Sequence, residues 1–182
     1  MVISIRRSRP DEGDKLIAIW CRSVDATHDF LSKAYRKELE EMVRAFLPEA
    51  PLWVAANTQD QPIAFMLLTG EHMDALFVDP DVRGCGVGKL LIEHALSLTP
   101  KLTTNVNEQN EQAVGFYQRM GFNVTGRSET DDLGQPYPLL NLIHEHRLRL
   151  TSQLLTLRQG PPRRRCCAPC PGYRSCRAGA NP

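Results

Sequence analysis

The part of this sequence that most limits the structures the chain can form is a glycine-rich segment, Arg83-Gly84-Cys85-Gly86-Val87-Gly88. It follows an apolar run at residues 75–78 and a turn at Asp79-Pro80, and it precedes apolar residues at helical spacing up to Leu98. The pattern predicts a strand, a glycine loop and a helix, in that order. This order leaves main-chain N–H groups free at a helix N-terminus, where the helix dipole favours negative charge. Because glycine lets the main chain approach a ligand closely, the segment predicts a phosphate-binding loop.

Two common nucleotide-binding loops do not fit this segment. The dinucleotide fingerprint has glycine three residues after its second glycine, but Lys89 holds that position here. A Walker loop has Ser or Thr after its Gly-Lys pair, but Leu90 holds that position. The remaining pattern is Arg-x-x-Gly-x-Gly, formed by Arg83, Gly86 and Gly88. Taken alone, this pattern is also compatible with a glycine turn that caps an ordinary helix.

A second segment, residues 105–122, favours the phosphate-binding interpretation. It carries Asn110, the pair Phe116-Tyr117 and the pair Gly121-Phe122 on a predicted strand and short helix. The two segments, separated by one helix and one strand, resemble those of the GNAT N-acetyltransferases. In that family the glycine loop binds the pyrophosphate of acetyl-coenzyme A (acetyl-CoA). The resemblance covers residues 2–143 and extends to a bacterial branch of the family, which implies protein lysine side chains as acceptors.

Hydrophobic periodicity predicts a single α/β domain with a mixed sheet. Strands are predicted at residues 2–7, 52–57, 63–69, 72–78, 102–106, 122–127 and 137–143. Helices are predicted from residue 10, from a Ser32 cap, from the glycine loop to residue 98, and over residues 111–120. The second helix has an apolar stripe of Leu39, Met42, Val43 and Phe46. The resemblance implies a GNAT-like fold, a mixed and mostly antiparallel twisted sheet flanked by helices, whose splayed central strand pair binds CoA.

Composition places the first part of the chain among cytoplasmic globular domains. The N-terminal residues lack a signal peptide pattern, and no apolar run approaches the length of a membrane span, so we expect no membrane partner. Residues 144–182 contain eight Arg, one Glu and neither Lys nor Asp, a net charge of +7. Since the whole chain has a charge of +1, the remainder carries −6. An acidic domain argues against nucleic acid as the main partner and suits a cationic substrate, although such acidity is also common among bacterial proteins.

The pattern of alternating elements ends near residue 144. The remaining segment is rich in Arg, Pro and Cys, and it cannot bury enough apolar surface to offset the entropy of ordering. We therefore predict an acetyltransferase domain at residues 1–143 and a basic, disordered tail at residues 144–182. The spacing of the tail cysteines matches no standard zinc site, so no metal is predicted; these residues are Cys166, Cys167, Cys170 and Cys176.

Acetyl transfer from a thioester to an amine needs a leaving-group acid, an oxyanion donor and a route for the amine proton. The resemblance implies that Tyr117 is the acid, because the tyrosine of this Phe-Tyr pair faces the coenzyme sulfur in GNAT enzymes. A phenol with a pKa near 10 is a feasible donor to a thiolate with a pKa of about 8.5. The resemblance also assigns coenzyme binding to main-chain groups of residues 76–78 and to the Asn110 side chain, which is equally placed to cap a helix. The predicted coenzyme contacts are Leu76, Phe77, Val78, Arg83, Gly84, Gly86, Gly88 and Asn110.

The general base is less constrained by the sequence. His72 and Asp74 share one face of the predicted strand with Leu76 and Val78, whereas Glu71 faces away unless a bulge intervenes. His28 on an early loop and a chain of waters are further alternatives. Cys85 in the glycine loop is interpreted as a small filler, since direct transfer needs no enzyme nucleophile.

The sequence therefore predicts an N-acetyltransferase that moves acetyl from acetyl-CoA to a primary amine in a ternary complex, and the resemblance implies a protein lysine as that amine. Two alternatives remain: acetylation of a small amine, and a non-catalytic acyl-CoA-binding sensor. A nucleic-acid-binding role for the arginine-rich tail rests on charge alone. The acceptor regions are expected near residues 26–36 and 128–137, where no side-chain pattern identifies the acceptor. We expect a monomer or a weak homodimer.

Overall fold

A computed structural model of the protein describes residues 2–145. Within that range the chain forms one seven-stranded mixed sheet and four α-helices. The strands are β1 (Ser4–Arg7), β2 (Trp53–Ala56), β3 (Pro62–Thr69), β4 (His72–Val78), β5 (Lys101–Asn107), β6 (Asn123–Ser128) and β7 (Leu139–Glu145). The helices are α1 (Gly13–Asp25), α2 (Lys33–Phe46), α3 (Val87–Leu98) and α4 (Glu111–Arg119).

The strand order is β1-β2-β3-β4-β5-β7-β6, and every neighbouring pair is antiparallel except β4 and β5. The predicted fold class is confirmed, and β4 lies at the centre of the sheet. Strand β7 continues through Glu145, two residues beyond the predicted domain boundary, and pairs with the start of β5 at Lys101. No helix among the described residues combines the length and apolar character that a membrane crossing needs.

The two faces of the sheet bury separate apolar cores. Helix α3 and Tyr117 of α4 contribute to one core, which includes Met73, Leu91 and Leu102. Helix α1 supplies the other core, in which Trp20 packs with Phe65. The domain thus has two helical layers on one sheet, as expected for a chain whose apolar residues recur with both helical and strand periods.

Helix α2 begins as predicted but packs differently. The Ser32 side chain accepts a hydrogen bond from the main-chain N–H of Tyr35 (3.2 Å), which confirms the predicted cap. The predicted apolar stripe is half wrong. Leu39 and Val43 pack against the α1 core, but Met42 and Phe46 remain 46% and 54% exposed.

Candidate active site

The central strands β4 and β5 separate soon after they begin. They are paired only at His72 with Thr103 and at Met73 with Thr104. Beyond that point β5 pairs with β7, and β4 remains paired with β3. The Thr104 hydroxyl donates to the main-chain carbonyl of Met73 (2.8 Å) at the last paired position. The sheet therefore has a gap at its centre, which is the splayed pair that the resemblance implied.

A β-bulge at Asp74 changes which side chains of β4 share a face. Leu67 and Leu68 of β3 pair with Ala75 and Met73 respectively, so Asp74 has no partner in the register. As a result Met73, rather than Asp74, packs in the same core as Leu76. The predicted common face of His72 and Asp74 with Leu76 is wrong for this reason.

The bulge leaves His72 and Asp74 at the closed end of the gap. The Nδ1 atom of His72 lies 2.9 Å from the Thr103 hydroxyl, and the Asp74 side chain is exposed. Neither residue lines the cleft described below. A base role for either residue stays a prediction, and the structure gives it no positional support.

Main-chain groups of β4 face the gap at every second residue. The N–H of Asp79 donates to the carbonyl of Ile63 on β3 (2.9 Å), which fixes the direction of alternation. Because main-chain groups in a strand point to opposite edges in turn, Leu76 and Val78 present their N–H and C=O groups to the gap. Phe77 presents its main chain to β3 and pairs there with Phe65.

The glycine loop meets the N-terminus of α3 next to this gap. Gly84 and Gly86 have φ angles of +77° and +81°, a region that glycine adopts without strain. Gly86 is the N-cap of α3 and uses no side chain to satisfy the first turn. The first helical hydrogen bond runs from Leu90 to Gly86. Within residues 2–145, several main-chain N–H groups of this turn donate to no protein acceptor; they belong to Gly84, Gly86, Val87, Gly88 and Lys89.

Gly88 and Arg83 also have structural roles. A Cβ atom at Gly88 would lie 3.1 Å from Cζ of Phe116, so the glycine allows α3 and α4 to pack closely. The Nη2 atom of Arg83 donates to the main-chain carbonyl (3.2 Å) and to the hydroxyl (3.1 Å) of Ser23 at the end of α1. This contact holds the guanidinium beside the loop while its other N–H groups remain available.

The gap, the glycine loop and α4 enclose a cleft of about 490 Å³, which we call the loop cleft. All eight residues predicted to contact the coenzyme line it: Leu76, Phe77, Val78, Arg83, Gly84, Gly86, Gly88 and Asn110. Tyr117 lines it as well. The fold therefore brings the two sequence segments, 83–88 and 110–117, to a single cavity.

Asn110 caps α4 and also lines the loop cleft, so its position is compatible with both roles that the sequence left as alternatives. Its Oδ1 atom accepts from the main-chain N–H of Ala113 (3.1 Å) and caps α4. The residue is buried, yet it lines the loop cleft. Since the cap uses only the carbonyl oxygen, the side-chain NH₂ group remains available to a ligand.

Tyr117 is buried at the closed end of the gap. Its ring packs edge-on against Phe122, with 5.3 Å between the ring centroids. Burial raises the pKa of the Tyr117 phenol to about 12, and a hydrogen-bonding contact with the Thr104 side chain opposes that shift in part. The phenol therefore keeps its proton throughout the physiological pH range.

The raised pKa of Tyr117 predicts a loss of stability at alkaline pH. In the unfolded chain the phenol has its ordinary pKa of 10. Its contribution to the free energy of unfolding is therefore complete below pH 10 and is lost as the pH rises towards 12. Two pKa units correspond to roughly 3 kcal/mol of unfolding free energy. Urea unfolding between pH 9 and pH 12 measures this fall. A Tyr117→Phe variant should show a shallower fall, and an equal slope in both proteins would contradict the assignment.

A second cavity of about 330 Å³ lies between the α1–α2 connection and the β6–β7 connection. We call it the aromatic cleft, because its walls include Trp20, Tyr35, Phe77 and Tyr137. Its lining also includes His28, Asn107, Asp131 and Asp132. The regions in which the sequence placed the acceptor, residues 26–36 and 128–137, overlap these two connections.

The aromatic cleft is held together by contacts between segments distant in sequence. Tyr35 and Tyr137 stack with 5.2 Å between ring centroids and 5° between planes. The Tyr35 hydroxyl donates to Asp131, and the main-chain N–H of Ser32 donates to the Tyr137 hydroxyl (3.1 Å). Asp131 also accepts from two main-chain N–H groups of its own turn, so both of its carboxylate oxygens are hydrogen-bonded. Asp132 is exposed at the cleft and has no such partners among the described residues.

Sequence reasoning missed these aromatic residues. Tyr35 is a single tyrosine in a hydrophilic stretch, and Tyr137 stands between two prolines at the start of a predicted strand, so neither carries a local signal of a binding site. Among residues 2–145, no three His, Cys, Asp or Glu side chains come together as ligands of a metal ion would. The four tail cysteines lie outside the described residues.

The fold and the loop cleft together define the class of protein. A family model of the acetyltransferase (GNAT) domain matches residues 13–136, and the chain belongs to this family of acetyl-CoA-dependent N-acetyltransferases. The predicted family, fold class and enzyme class are confirmed.

Particular members of the family are very similar to this chain. The peptidyl-lysine N-acetyltransferase YjaB of Escherichia coli (strain K12) is 77% identical over 144 residues, which are 79% of this chain and 98% of that protein. The solution structure of apo-form YjaB from E. coli matches with a TM-score of 0.77 at 78% identity, and it covers 79% of this chain and 97% of that one. The PaiA N-acetyltransferase of Thermoplasma acidophilum, in complex with coenzyme A, shares the fold with a TM-score of 0.66 at 18% identity; 80% and 99% of the two chains are covered.

Proposed function

We propose that this enzyme acetylates lysine side chains of proteins by direct transfer from acetyl-CoA in a ternary complex. The observation that carries the proposal is the presence of two clefts with different linings that share Phe77 and His28. One cleft offers free N–H groups at a helix N-terminus, and the other offers aromatic walls and carboxylates. The name of the 77% identical relative, a peptidyl-lysine N-acetyltransferase, supports the same acceptor.

In this proposal the loop cleft holds the coenzyme. The N–H groups of Gly84, Gly86 and Gly88 bind the pyrophosphate, and the guanidinium of Arg83 adds a charged donor. The main-chain groups of Leu76 and Val78 bind the pantetheine arm and stabilise the oxyanion that forms on the acetyl carbonyl. The NH₂ group of Asn110 supplies a further contact from α4.

In this proposal Tyr117 stabilises the departing thiolate. The attacking nitrogen forms a bond to the acetyl carbon, the C–S bond breaks, and the sulfur receives a hydrogen bond or a proton from the phenol. No enzyme nucleophile is required. Cys85 is exposed and does not line either cleft, which agrees with its interpretation as a small residue in the loop.

The aromatic cleft suits a lysine side chain better than a compact, highly polar amine. Aromatic walls pack well against four methylene groups, and a nearby carboxylate favours the ammonium form during approach. Asp132 is the carboxylate available for this purpose, because Asp131 is engaged by Tyr35 and by its own turn.

Incubation of the full chain with acetyl-CoA and a set of amines tests the proposal. The set includes a peptide with one lysine and a blocked N-terminus, the same peptide with arginine in place of lysine, and the polyamine spermidine. Mass spectrometry should find one acetyl group on the lysine peptide and none on the arginine peptide. Transfer to spermidine alone would replace the proposed acceptor with a small amine. Saturable binding of acetyl-CoA without transfer to any amine would indicate a sensor.

Replacing Asp132 with Asn should weaken acceptor binding selectively. An exposed charge contributes about 0.2–1 kcal/mol, so KM for the lysine peptide should rise about 1.4–5-fold at low salt while kcat is kept. Added salt should diminish the difference, since it screens exposed charges. Asp11→Asn is the matched control, because Asp11 is exposed and lines neither cleft. Equal effects of the two substitutions would contradict a specific role for Asp132.

We further propose that residues 1–143, extended by the end of β7, carry the whole activity. The 144 residues that match YjaB of E. coli are 98% of that protein. A chain that stops after residue 150 should fold and bind acetyl-CoA as the full chain does, and it should lose most of the basic charge. Circular dichroism and calorimetric titration check this. Unfolding of the shortened chain, or loss of stoichiometric zinc with residues 151–182, would show that the proposed boundary is wrong.

A cytoplasmic location and a monomer or weak homodimer complete the proposal, with neither nucleic acid nor membrane as a partner. Sedimentation of the purified full chain, with and without a short DNA duplex, tests the oligomeric state and the expectation about nucleic acid together.

A further inference from the structure

His28 occupies the junction between the two clefts. It lies three residues after the end of α1, and its main-chain N–H donates to the Val24 carbonyl (2.8 Å). Of the residues that the structure describes, only His28 and Phe77 line both clefts. Phe77 cannot exchange a proton, so His28 is the titratable side chain at the place where a donor in one cleft would meet an acceptor in the other.

The hydrogen bonds around His28 favour one tautomer of its ring. The Thr27 hydroxyl donates its single proton to the Ser23 carbonyl (2.8 Å). The same hydroxyl lies 2.8 Å from Nδ1 of His28 and must therefore accept in that contact. Nδ1 thus carries the proton, and Nε2 retains a lone pair. A histidine that acts as a general base must be neutral, with one ring nitrogen protonated and hydrogen-bonded to the protein. The other ring nitrogen then accepts the proton of the substrate.

The charges around His28 keep the ring neutral. Burial lowers its pKa below the ordinary value of 6.5, and the nearby Arg83 guanidinium acts in the same direction. The Val24 carbonyl and Asp29 oppose the shift. Across the aromatic cleft the other titratable groups are Tyr35, Asp131, Asp132 and Tyr137. A neutral ring accepts a proton at physiological pH, which a histidine that is already charged cannot do.

We propose that His28 is the general base that takes the proton from the attacking amine. The acceptor ammonium first releases one proton to solvent, and as the neutral amine nitrogen then bonds to the acetyl carbon, its next proton passes to Nε2 of His28. The carbonyl electrons move to oxygen and return as the C–S bond breaks, and Tyr117 donates a hydrogen bond to the departing sulfur. The imidazolium releases its proton to solvent and the thiolate takes one from solvent, so the net products are the acetylated amine and free CoA. This inference rests on the proposed function, because it needs the acceptor to enter through the aromatic cleft.

The strand residues that the sequence favoured are less suitable. His72 contacts the Thr103 hydroxyl and lines neither cleft, and Asp74 lies exposed in the bulge. The α1–α2 connection therefore supplies the base, whereas β4 supplies main-chain groups.

The pH dependence of kcat with a saturating amine tests the proposal. The wild-type profile should have an acidic limb from His28, and His28→Gln should remove that limb and lower kcat by about 10²-fold. Affinity for acetyl-CoA, measured by calorimetry, should stay within about twofold, since glutamine keeps the bulk of the ring. His72→Gln tests the competing position and should retain the acidic limb. An unchanged profile in His28→Gln, or loss of the limb in His72→Gln instead, would overturn the proposal, as would a parallel loss of coenzyme affinity.

Two further measurements keep the test decisive. The ¹⁵N NMR spectrum of the wild-type imidazole should show Nδ1 protonated and Nε2 unprotonated at pH 7.5, and the pKa of the His28 ring should coincide with that of the acidic limb. A protonated Nε2 would contradict the assignment even if His28→Gln failed to fold. All kinetic comparisons use an amine that the wild-type enzyme acetylates, whether peptide or polyamine. If the lysine proposal is wrong, the wild-type enzyme will fail to acetylate the lysine peptide. If the base assignment is wrong, His28→Gln will keep the acidic limb with whichever amine the wild-type enzyme accepts.

Discussion

Replacing Tyr117 with Phe should lower turnover by about 10²–10⁴-fold, the usual contribution of a general acid or base. The substitution removes only the hydroxyl, and the ring retains its packing against Phe122. Affinity for acetyl-CoA should be nearly unchanged, because the hydroxyl contributes most after the C–S bond begins to break. The variant should therefore show a selective loss of kcat.

The raised pKa of Tyr117 indicates how the phenol acts. Full transfer from a phenol with a pKa of about 12 to a free thiolate is uphill by roughly 5 kcal/mol. Burial in the gap also raises the pKa of the coenzyme thiol, which reduces the difference between the pKa values of the phenol and the thiol. A strong hydrogen bond that tightens as charge forms on sulfur stabilises the transition state without complete transfer.

Steady-state kinetics with the preferred amine measure the effect, and single-turnover experiments establish that chemistry limits the rate. Tyr35→Phe is the matched comparison, because it removes a buried tyrosine hydroxyl from the aromatic cleft. That variant should change mainly KM for the amine, since the lost hydrogen bond holds Asp131 and its turn. A folded Tyr117→Phe protein with wild-type turnover, under conditions in which chemistry is rate-limiting, would exclude Tyr117 from the mechanism.

The sequence predicted those parts of the site that local pattern specifies. One continuous segment of sequence specifies the strand, the glycine loop and the helix. The free N–H groups at the start of that helix follow from helix geometry alone. Tyr117 and Asn110 lie on one short helix whose position relative to the loop depends on a single helix and a single strand. Such short-range information survives in the amino-acid pattern, and the structure places all of these residues around the loop cleft.

The bulge at Asp74 was not predictable from the same pattern. Strand residues alternate between faces, and a single inserted residue reverses the assignment of everything on one side of it. The residues after the bulge, 75–78, are all apolar and fit either face equally well. The periodicity therefore gave His72 and Asp74 a face that the pairing of Leu67 and Leu68 with Ala75 and Met73 rules out.

The aromatic cleft depends on long-range contacts that no local pattern encodes. Ser32 and Tyr137, which are 105 residues apart, meet because β7 and the α1–α2 connection lie at the same end of the sheet. The importance of His28 has the same origin, since its position between two clefts is a property of the assembled fold. The exposed Met42 and Phe46 show the converse case, because an apolar stripe predicts burial only where a second surface covers it.

Replacing Gly86 with Val should weaken acetyl-CoA binding by at least about 100-fold. Gly86 has a φ of +81°, which a β-branched residue adopts only with strain of roughly 1–2 kcal/mol, so the turn should relax away from its present geometry. Relaxation would misdirect the N–H groups at the start of α3. Each hydrogen bond to a charged phosphate contributes about 1.5–3 kcal/mol, and the loss of two corresponds to about 10²–10⁴-fold in affinity.

Gly70→Val is the matched control for this prediction. Gly70 also has a positive φ (+61°), a Cβ atom there would meet nothing within 4 Å, and the residue lines neither cleft. The two variants should therefore lose similar thermal stability, because the main-chain strain is alike, but only Gly86→Val should lose coenzyme affinity in calorimetric titration. Addition of inorganic pyrophosphate should protect the wild-type and Gly70→Val proteins against heat, since a ligand that binds only the folded state stabilises it, and it should not protect Gly86→Val. Wild-type affinity in a folded Gly86→Val protein would show that the phosphates bind elsewhere, because a β-branched residue at this position cannot keep the turn in its present geometry without strain.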